Sequence, residues 1–319
     1  MNKPNIIISK CINFDNCRYN WDIVKDDFLL TLGAFVNYIP VCPEVAIGLP
    51  TPRQSLRIYE NKWKKILIQP SADLDLSKKM KKFADTFLSK QENIDGFVLK
   101  NRSPSCWIWD VKIYDKKDWY TFKKGGVWLF SENIENYFLN IPKEDEWRLK
   151  NFRLRESFLT KIFCLAHYRS IRKTGKISDL SDFQAHNKYL FMFYSPDIQK
   201  ELWQIVALHD RENLSEIYEK YYVKLLELFE TETKISKMIN AVTHIFWYFK
   251  TTCSPEEKKF FLETLDVYRE WRIPTSSIIS ILKTWALRDK SKYILKQTIL
   301  NPYPKELVEL SDSGKMLKL

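Results

Sequence analysis

Residues 5–11 of the chain are Asn-Ile-Ile-Ile-Ser-Lys-Cys, a short run of β-branched residues that stops at Cys11. Consecutive isoleucines are typical of a strand that is buried on both faces, as in a parallel sheet. Residues 37–41, Asn-Tyr-Ile-Pro-Val, form a second short run that ends directly before Cys42. Both runs are therefore predicted to be short strands that lead into a cysteine.

Further strand and helix patterns extend this arrangement. Residues 96–99, Gly-Phe-Val-Leu, predict a third strand whose polar exit carries Cys106, and residues 127–130, Val-Trp-Leu-Phe, predict a fourth. Helical spacing of apolar residues occurs between the strands, over residues 21–35 and 74–91. Short buried strands that alternate with helices predict an α/β domain with a Rossmann-like, mostly parallel sheet.

The positions of three cysteines suggest a functional site in this domain. In open parallel sheets, sites form outside the carboxyl ends of the strands. Cys11, Cys42 and Cys106 each follow a predicted strand within seven residues. We therefore expect their thiols to meet at one rim of the sheet.

The second half of the chain has a different pattern. Residues 140–151 are polar and are predicted to be a linker, and beyond them the apolar spacing is helical almost to the end. Ser254, followed by Pro and two Glu residues, predicts a helix start with a capping box. We therefore predict an α/β domain over residues 1–145, an all-α domain over residues 151–310 and a tail over residues 311–319.

The composition excludes some classes of protein. The chain has 319 residues but only 7 glycines, and it contains no glycine-rich phosphate-binding motif. Its 51 Lys and Arg against 40 Asp and Glu give a net charge of +11, which is compatible with a polyanionic partner and equally with a solvated basic surface. Neither a signal peptide nor an apolar run of about 18 residues is found, so we expect a cytoplasmic protein with reduced thiols and no membrane partner.

Three thiolates from distant segments suit a metal site with one open position. A 4Fe–4S cluster takes one ligand per iron, usually a thiolate, so three cysteines leave one iron free for a substrate atom such as sulfur. Zinc bound by three thiolates is the main chemical alternative. The spacing of Cys11, Cys42 and Cys106 does not distinguish the two metals.

The sequence around these cysteines resembles the thiouracil desulfidase family over roughly residues 4–140. The resemblance is carried by Ser9-Lys10-Cys11 with Arg18-Tyr19, by Cys42-Pro43-Glu44-Val45 continuing to Gly48-Leu49-Pro50-Thr51-Pro52-Arg53, and by Ser103-Pro104-Ser105-Cys106. Roughly residues 152–310 resemble the YbgA-type helical domain that is often fused to it. The residues that match are Phe183-Gln184-Ala185-His186-Asn187-Lys188-Tyr189, His244, Tyr248-Phe249-Lys250, Tyr268-Arg269, Ile273-Pro274, Gln297 and Pro302-Tyr303-Pro304. The fusion looks like the tRNA 4-thiouridine desulfidases.

The resemblance implies an enzyme and assigns roles to particular residues. It implies a 4Fe–4S cluster held by Cys11, Cys42 and Cys106, with an open iron that takes the substrate sulfur. By resemblance, Glu44 and Ser103 are the acid/base candidates. The implied reaction involves no oxidation or reduction. The oxygen of a water molecule replaces the sulfur of a thiocarbonyl group, and a carboxylate and a hydroxyl group transfer the protons.

The substrate expected first is 4-thiouridine in tRNA. The alternatives are a desulfidase of free thiouracil or thionucleosides, and a zinc-bound RNA-binding module without catalysis. The candidate tRNA-binding residues are Arg169, Arg172, Lys173 and Lys188, whose charges are explained equally well by a solvated helix face. We expect tRNA or a small thiolated base as partner, and no DNA.

The chain departs from the family at several positions near these motifs. Asp15 and Trp21 stand where the family usually has glycine. Trp107, directly after the third cysteine, also stands where glycine is typical. Cys17 stands where a residue other than cysteine is usual. All three ligand positions are kept, so the departures concern the shape of the pocket rather than cluster binding.

Overall fold

The computed structural model of the chain describes residues 2–61, 64–107, 109, 111–115, 122–124, 129–208 and 213–309. The strands in this part are β1 (Asn5–Ser9), β2 (Asn37–Val41), β3 (Arg57–Asn61), β4 (Lys64–Gln69), β5 (Leu74–Asp75), β6 (Gly96–Leu99), β7 (Lys112–Tyr114), β8 (Phe122–Lys124) and β9 (Lys143–Asp145). The α-helices are α1 (Asp27–Leu32), α2 (Pro43–Ala46), α3 (Ser77–Leu88), α4 (Leu129–Tyr137), α5 (Phe152–Thr174), α6 (Ile177–Tyr194), α7 (Pro196–Ala207), α8 (Leu214–Glu230), α9 (Ile235–Phe246), α10 (Pro255–Arg269), α11 (Thr275–Arg288) and α12 (Lys292–Leu295).

The chain divides into two compact units. The first runs to Ala166 and takes in the segment that follows Lys305, and the second spans the residues between them. The predicted domain bounds, residues 1–145 and 151–310, stay a prediction, and the predicted tail lies outside the described residues. None of the described helices is both long and apolar enough to span a membrane.

The first unit is built on a parallel sheet, which confirms the predicted α/β class. Its strand order is β2–β1–β6–β9, and every neighbouring pair is parallel. In the central strand β1, Ile7 pairs with Ile39 of β2 and with Phe97 of β6. Burial of this strand on both faces explains why its signal in the sequence is a continuous apolar run.

A close contact explains the glycine that begins β6. A Cβ atom built on Gly96 would lie 2.8 Å from Cγ2 of Ile162 in α5 and 3.0 Å from Cδ1 of Ile6. Any side chain at this position would force the side chains of Ile162 or Ile6 to shift in the tightly packed interior.

The prediction of a fourth strand over residues 127–130 is wrong at Leu129 and Phe130. Leu129 and Phe130 begin α4, and residues 125–128 lie outside the described part of the chain. The fourth strand is β9, within the stretch predicted to be a linker. Its sequence, Lys-Glu-Asp, lacks the β-branched and aromatic residues that are typical of strands. Its buried acids instead bind polar partners: Glu144 forms an ion pair with Arg148, and Asp145 accepts a hydrogen bond from Asn101.

A second sheet was not predicted. Its order is β5–β4–β3–β7–β8, and it is antiparallel except for the parallel pair β3–β7. Its buried face includes Ile58, Leu67 and Ile113, which pack with Met80 of α3. Trp107, directly after the third cysteine, packs against this core.

The second unit contains helices α6–α12 and the end of α5, which confirms the predicted all-α class. Its core is rich in aromatic rings: Tyr168 stacks on Tyr221 with ring centroids 5.5 Å apart, and both contact Phe183. The predicted capping box is present, because the Ser254 hydroxyl accepts from the backbone N–H of Glu257, whose carboxylate accepts from the backbone of Ser254.

Candidate active site

A cavity of about 310 Å³ opens at the carboxyl edge of the parallel sheet. It lies where β2, β1 and β6 end side by side, with Ser9 and Val41 in its wall. This is the place at which open parallel sheets form their sites, and the volume lies at the lower end of the range for small-molecule pockets.

The three predicted ligand residues line this cavity together. Cys11 follows β1 by two residues, Cys42 follows β2 directly at the start of α2, and Cys106 lies in the loop after β6. The loops that carry them are joined to the sheet: the backbone N–H of Lys100 donates to Oγ of Ser9 at 2.9 Å. Adjacent parallel strands thus bring together residues that are 31 and 64 positions apart in the sequence.

Glu44 lies in the same cavity wall and is held by Arg53. Oε2 of Glu44 accepts from Nε of Arg53 at 2.9 Å and from Nη2 at 2.5 Å. Both side chains are largely buried, with 10% of the Glu44 side chain and 3% of the Arg53 side chain exposed. These charge-assisted hydrogen bonds from Arg53 fix the orientation of the Glu44 carboxylate.

Ser105 connects Glu44 to the predicted acid/base residue Ser103. The Ser105 hydroxyl donates to Oε1 of Glu44 at 2.7 Å, and the hydroxyl oxygens of Ser103 and Ser105 lie 3.1 Å apart. Because the Ser105 proton is directed at Glu44, the Ser103 hydroxyl is the donor of the second bond. Backbone N–H groups of Ser105 and Cys106 donate to Oγ of Ser103 and orient it.

Sequence reasoning assigned no role to Arg53 and Ser105 in this network. Both belong to the quoted motifs, but nothing in the order of residues shows which atoms they contact. The network is a chain of hydroxyls that leads from the cavity to a carboxylate. Such a chain can accept a proton from a molecule in the cavity and return it.

Burial and contacts with neighbouring groups favour the protonated forms of the Cys42 and Cys106 thiols. Burial is the largest cause that raises the pKa of Cys106, to about 12. A hydrogen bond with Cys17, followed by burial, raises the pKa of Cys42 well above its usual range. Iron binding must therefore displace thiol protons, and the soft metal supplies the compensating bond.

The donors that line the cavity suit a 4Fe–4S cluster, because Cys11, Cys42 and Cys106 are thiols carried by three separate loops. Among the described residues, no three His, Cys, Asp or Glu side chains are grouped so that they could hold one metal ion. A zinc site needs its ligands to converge at about 2.0–2.3 Å from one atom. A 4Fe–4S cluster instead takes each thiolate on a different iron, so cysteines spread around a cavity suit it.

Cations and one aromatic ring surround the cavity. Lys10 pairs with Asp15 at 2.8 Å, Arg18 pairs with Asp22 at 2.6 Å, and Lys100 pairs with Glu146. Arg102 is exposed and has a left-handed backbone with φ of 58°, and the ring of Tyr19 is half exposed. A flat ring and positive charge at the mouth suit a planar base or an anionic substrate.

The predicted tRNA-binding residues are placed in the second unit. Arg172 and Lys173 are exposed, whereas Arg169 and Lys188 are half-buried. Arg172 pairs with Glu219, and Nζ of Lys188 lies 5.3 Å from the centroid of the Tyr189 ring. Their binding role stays a prediction.

Comparisons with known proteins matched two family models to separate parts of the chain. Residues 6–146 match the family described as 2-thiouracil desulfurase, and residues 188–304 match the family described as protein of unknown function DUF1722. The uncharacterized protein YbgA of Escherichia coli K12 is 22% identical over 164 residues, which are 51% of this chain and 96% of that protein. A solved structure titled 4Fe-4S-dependent thiouracil desulfidase TudS matches 49% of this chain and 99% of its own, with 26% identity and a TM-score of 0.38.

The family matches confirm both halves of the resemblance, and with them the expectation of an enzyme class for the first half. All the cavity residues described above lie within residues 6–146. The chain therefore combines a domain of the 2-thiouracil desulfurase family with a domain of the DUF1722 family.

Proposed function

We propose that the protein is a 4Fe–4S-dependent desulfidase that replaces the sulfur of a thiolated pyrimidine base by oxygen. The observation that carries the proposal is the meeting of three thiols and one arginine-held carboxylate in a single cavity. The family match supports thiouracil as the substrate class, and so favours a free base over the tRNA substrate expected first from the sequence.

Cys11, Cys42 and Cys106 would hold the cluster, since their thiols line the cavity from three neighbouring strand ends. When bound, the cluster supplies a Lewis-acidic iron that takes the thiocarbonyl sulfur and polarises the carbon to which it is attached. The rest of the chemistry belongs to the side chains of the chain.

Glu44 is positioned to accept a proton from the attacking water. Its hydrogen bonds with Arg53 fix the orientation of the carboxylate. The hydroxyls of Ser105 and Ser103 connect the carboxylate to the cavity through a chain of hydrogen bonds. Water supplies one oxygen and two protons, the ring carbon exchanges sulfur for oxygen, and hydrogen sulfide leaves. The exchange transfers no electrons, so no reductant is required.

The test is anaerobic reconstitution with iron and sulfide, followed by incubation with 2-thiouracil. We expect broad visible absorption, four irons per chain and release of sulfide with formation of uracil. Stoichiometric zinc without visible absorption or turnover would instead support the RNA-binding module and would reject the enzyme.

A second candidate substrate is 4-thiouridine within tRNA. It is favoured by the net charge of +11 and by the cations Lys10, Arg18, Lys100 and Arg102 at the cavity. A phosphate backbone would contact such side chains without its sequence being read, and the target base would have to leave its stack to reach the thiols.

Charge reversal in the second unit separates the two substrates. Changing Arg169, Arg172 and Lys173 together to Glu is expected to cripple tRNA binding and desulfidation, because phosphate contacts release counterions and dominate affinity. Turnover of free thiouracil should stay nearly intact, since the cavity lies in the first unit. The measurements are sulfide release from both substrates and the salt dependence of tRNA binding.

A control reverses three exposed cations elsewhere in the second unit, which are Lys259, Arg269 and Arg272. This control makes the same change in net charge. Equal loss of tRNA binding in both triple variants would show that only total charge matters. Unchanged tRNA turnover in the first variant would exclude its residues as a docking surface.

A further inference from the structure

A fourth cysteine, Cys17, lines the same cavity as the three expected ligands. Only 3% of its surface is exposed. The family resemblance assigns it no role, because another residue is usual at its position. The structure nevertheless places four of the six cysteines of the chain around one cavity.

The Cys17 thiol lies among the expected ligands. The neighbouring Cys11 thiol is the largest cause that raises the pKa of Cys17, and the Cys42 thiol is the next group that affects it, so the Cys17 thiol lies beside both. Sγ of Cys42 also lies 3.9 Å from the backbone oxygen of Cys17. A sulfur atom held this close to two expected ligands is within reach of a cluster that those ligands bind.

The loop that carries Cys17 is anchored by Arg53, the residue that holds Glu44. Nη1 of Arg53 donates to the backbone oxygen of Cys17 at 3.0 Å, and its backbone N–H donates to the oxygen of Tyr19 at 2.8 Å. These bonds fix the backbone of Cys17. Rotation about its Cα–Cβ bond then moves the sulfur without moving the loop.

The other cavity side chains are poorer ligands for a fourth iron. Both carboxylate oxygens of Glu44 already accept hydrogen bonds, from Arg53 and Ser105. Lys10 and Lys100 are cations in ion pairs. Iron in a cluster prefers thiolate, and Cys17 is the soft donor in the cavity that the three-ligand scheme does not use.

We propose that the Cys17 thiolate binds the fourth iron of the cluster while no substrate is present, and that the substrate sulfur replaces it. This inference rests on the proposed function, since it requires the cluster. On binding iron, the Cys17 thiol releases its proton to solvent, and it takes up a proton again when it is displaced. The resting cluster then has four protein thiolates, and its open position is created by the substrate.

Protection of the fourth iron is the measurable consequence. A 4Fe–4S cluster that loses one electron to a mild oxidant releases the iron that lacks a protein ligand, which leaves a paramagnetic 3Fe–4S cluster. A fourth thiolate prevents this loss. The experiment treats the reconstituted protein with one equivalent of ferricyanide and records the EPR signal of the 3Fe–4S cluster and the iron released.

The variant is Cys17→Ala, and Cys164→Ala is its matched control because Cys164 is a buried thiol in α5, outside the cavity. We expect the wild type and Cys164→Ala to keep their iron, and Cys17→Ala to lose about one iron in four with a strong 3Fe–4S signal. A wild type that loses iron as readily as Cys17→Ala overturns the inference.

Mössbauer spectroscopy of the wild type tests the same point without any substitution, in case Cys17→Ala does not fold. Four thiolate-bound irons are expected before substrate is added, and one distinct iron site after 2-thiouracil is added. A distinct iron already present in the resting protein overturns the inference while leaving the proposed function intact. If the wild type binds no cluster at all, the proposed function fails and the role of Cys17 fails with it.

Discussion

Replacing Cys11, Cys42 or Cys106 by serine, one at a time, is expected to remove iron and desulfidase activity together. A serine hydroxyl is a harder donor than a thiolate and gives up its proton far less readily, so each variant loses one of the bonds that hold the cluster. The loss of activity should reach the level of protein without iron. Iron and sulfide content, visible absorption and sulfide release from 2-thiouracil are measured on the same samples.

Cys164→Ser serves as the control for these variants. Its thiol is also buried, but it lies on α5 and outside the cavity, so the added hydroxyl affects stability and not iron content. A Cys106→Ser protein with full iron content would remove Cys106 from the ligand set. Equal iron loss in the control would show that misfolding, and not ligation, explains the result.

Glu44→Gln is expected to keep the cluster while lowering turnover by roughly 10²-fold or more, the typical contribution of one proton-transfer group. Glutamine has nearly the same shape and can still accept from Ser105, but it cannot take a proton from water. It also leaves the buried Arg53 guanidinium without its anion, so a lower unfolding midpoint is expected as well. The measurements are kcat at full iron loading, iron content and the midpoint of denaturant unfolding.

Two further variants separate proton transfer from the loss of the ion pair. Glu144→Gln breaks another buried carboxylate–arginine pair, that of Glu144 with Arg148, away from the cavity, and should lower stability without slowing turnover. Ser103→Ala should slow turnover while the Glu44–Arg53 pair stays in place. Normal turnover by an iron-loaded Glu44→Gln protein would show that the acid/base assignment is wrong.

The short apolar runs of the sequence were sufficient to predict three of the four strands of the parallel sheet and the edge at which the three cysteines meet. Strand β1 can be recognised in the sequence because a strand buried on both faces requires consecutive apolar residues, as in Ile6, Ile7 and Ile8. Since parallel strands end at the same edge, cysteines at three strand exits had to come close together. The capping box at Ser254 could also be predicted from the sequence, because its hydrogen bonds join residues that are only three positions apart.

Strand β9 was not found because its sequence carries a signal contrary to a strand. The second sheet was missed although β4 contains the apolar run Ile66-Leu67-Ile68. Strand β9 is charged, and its acids are buried only because tertiary partners hold them: Glu144 pairs with Arg148, and Asp145 accepts from Asn101 and from backbone N–H groups. No periodicity within three residues can reveal such partners.

The sequence by itself determined the two fold classes, the strand exits and, through its motifs, the residues Cys11, Cys42, Cys106, Glu44 and Ser103 as candidates. It could do so because burial patterns and motif spacings are local properties of the chain. Tertiary structure alone decided that Arg53 holds Glu44, that Ser105 lies between Glu44 and Ser103, and that Cys17 joins the other thiols. Apart from the contact between Ser103 and Ser105, these contacts join separate loops, with Ser105 and Glu44 61 positions apart, and their geometry exists only after the strands have paired.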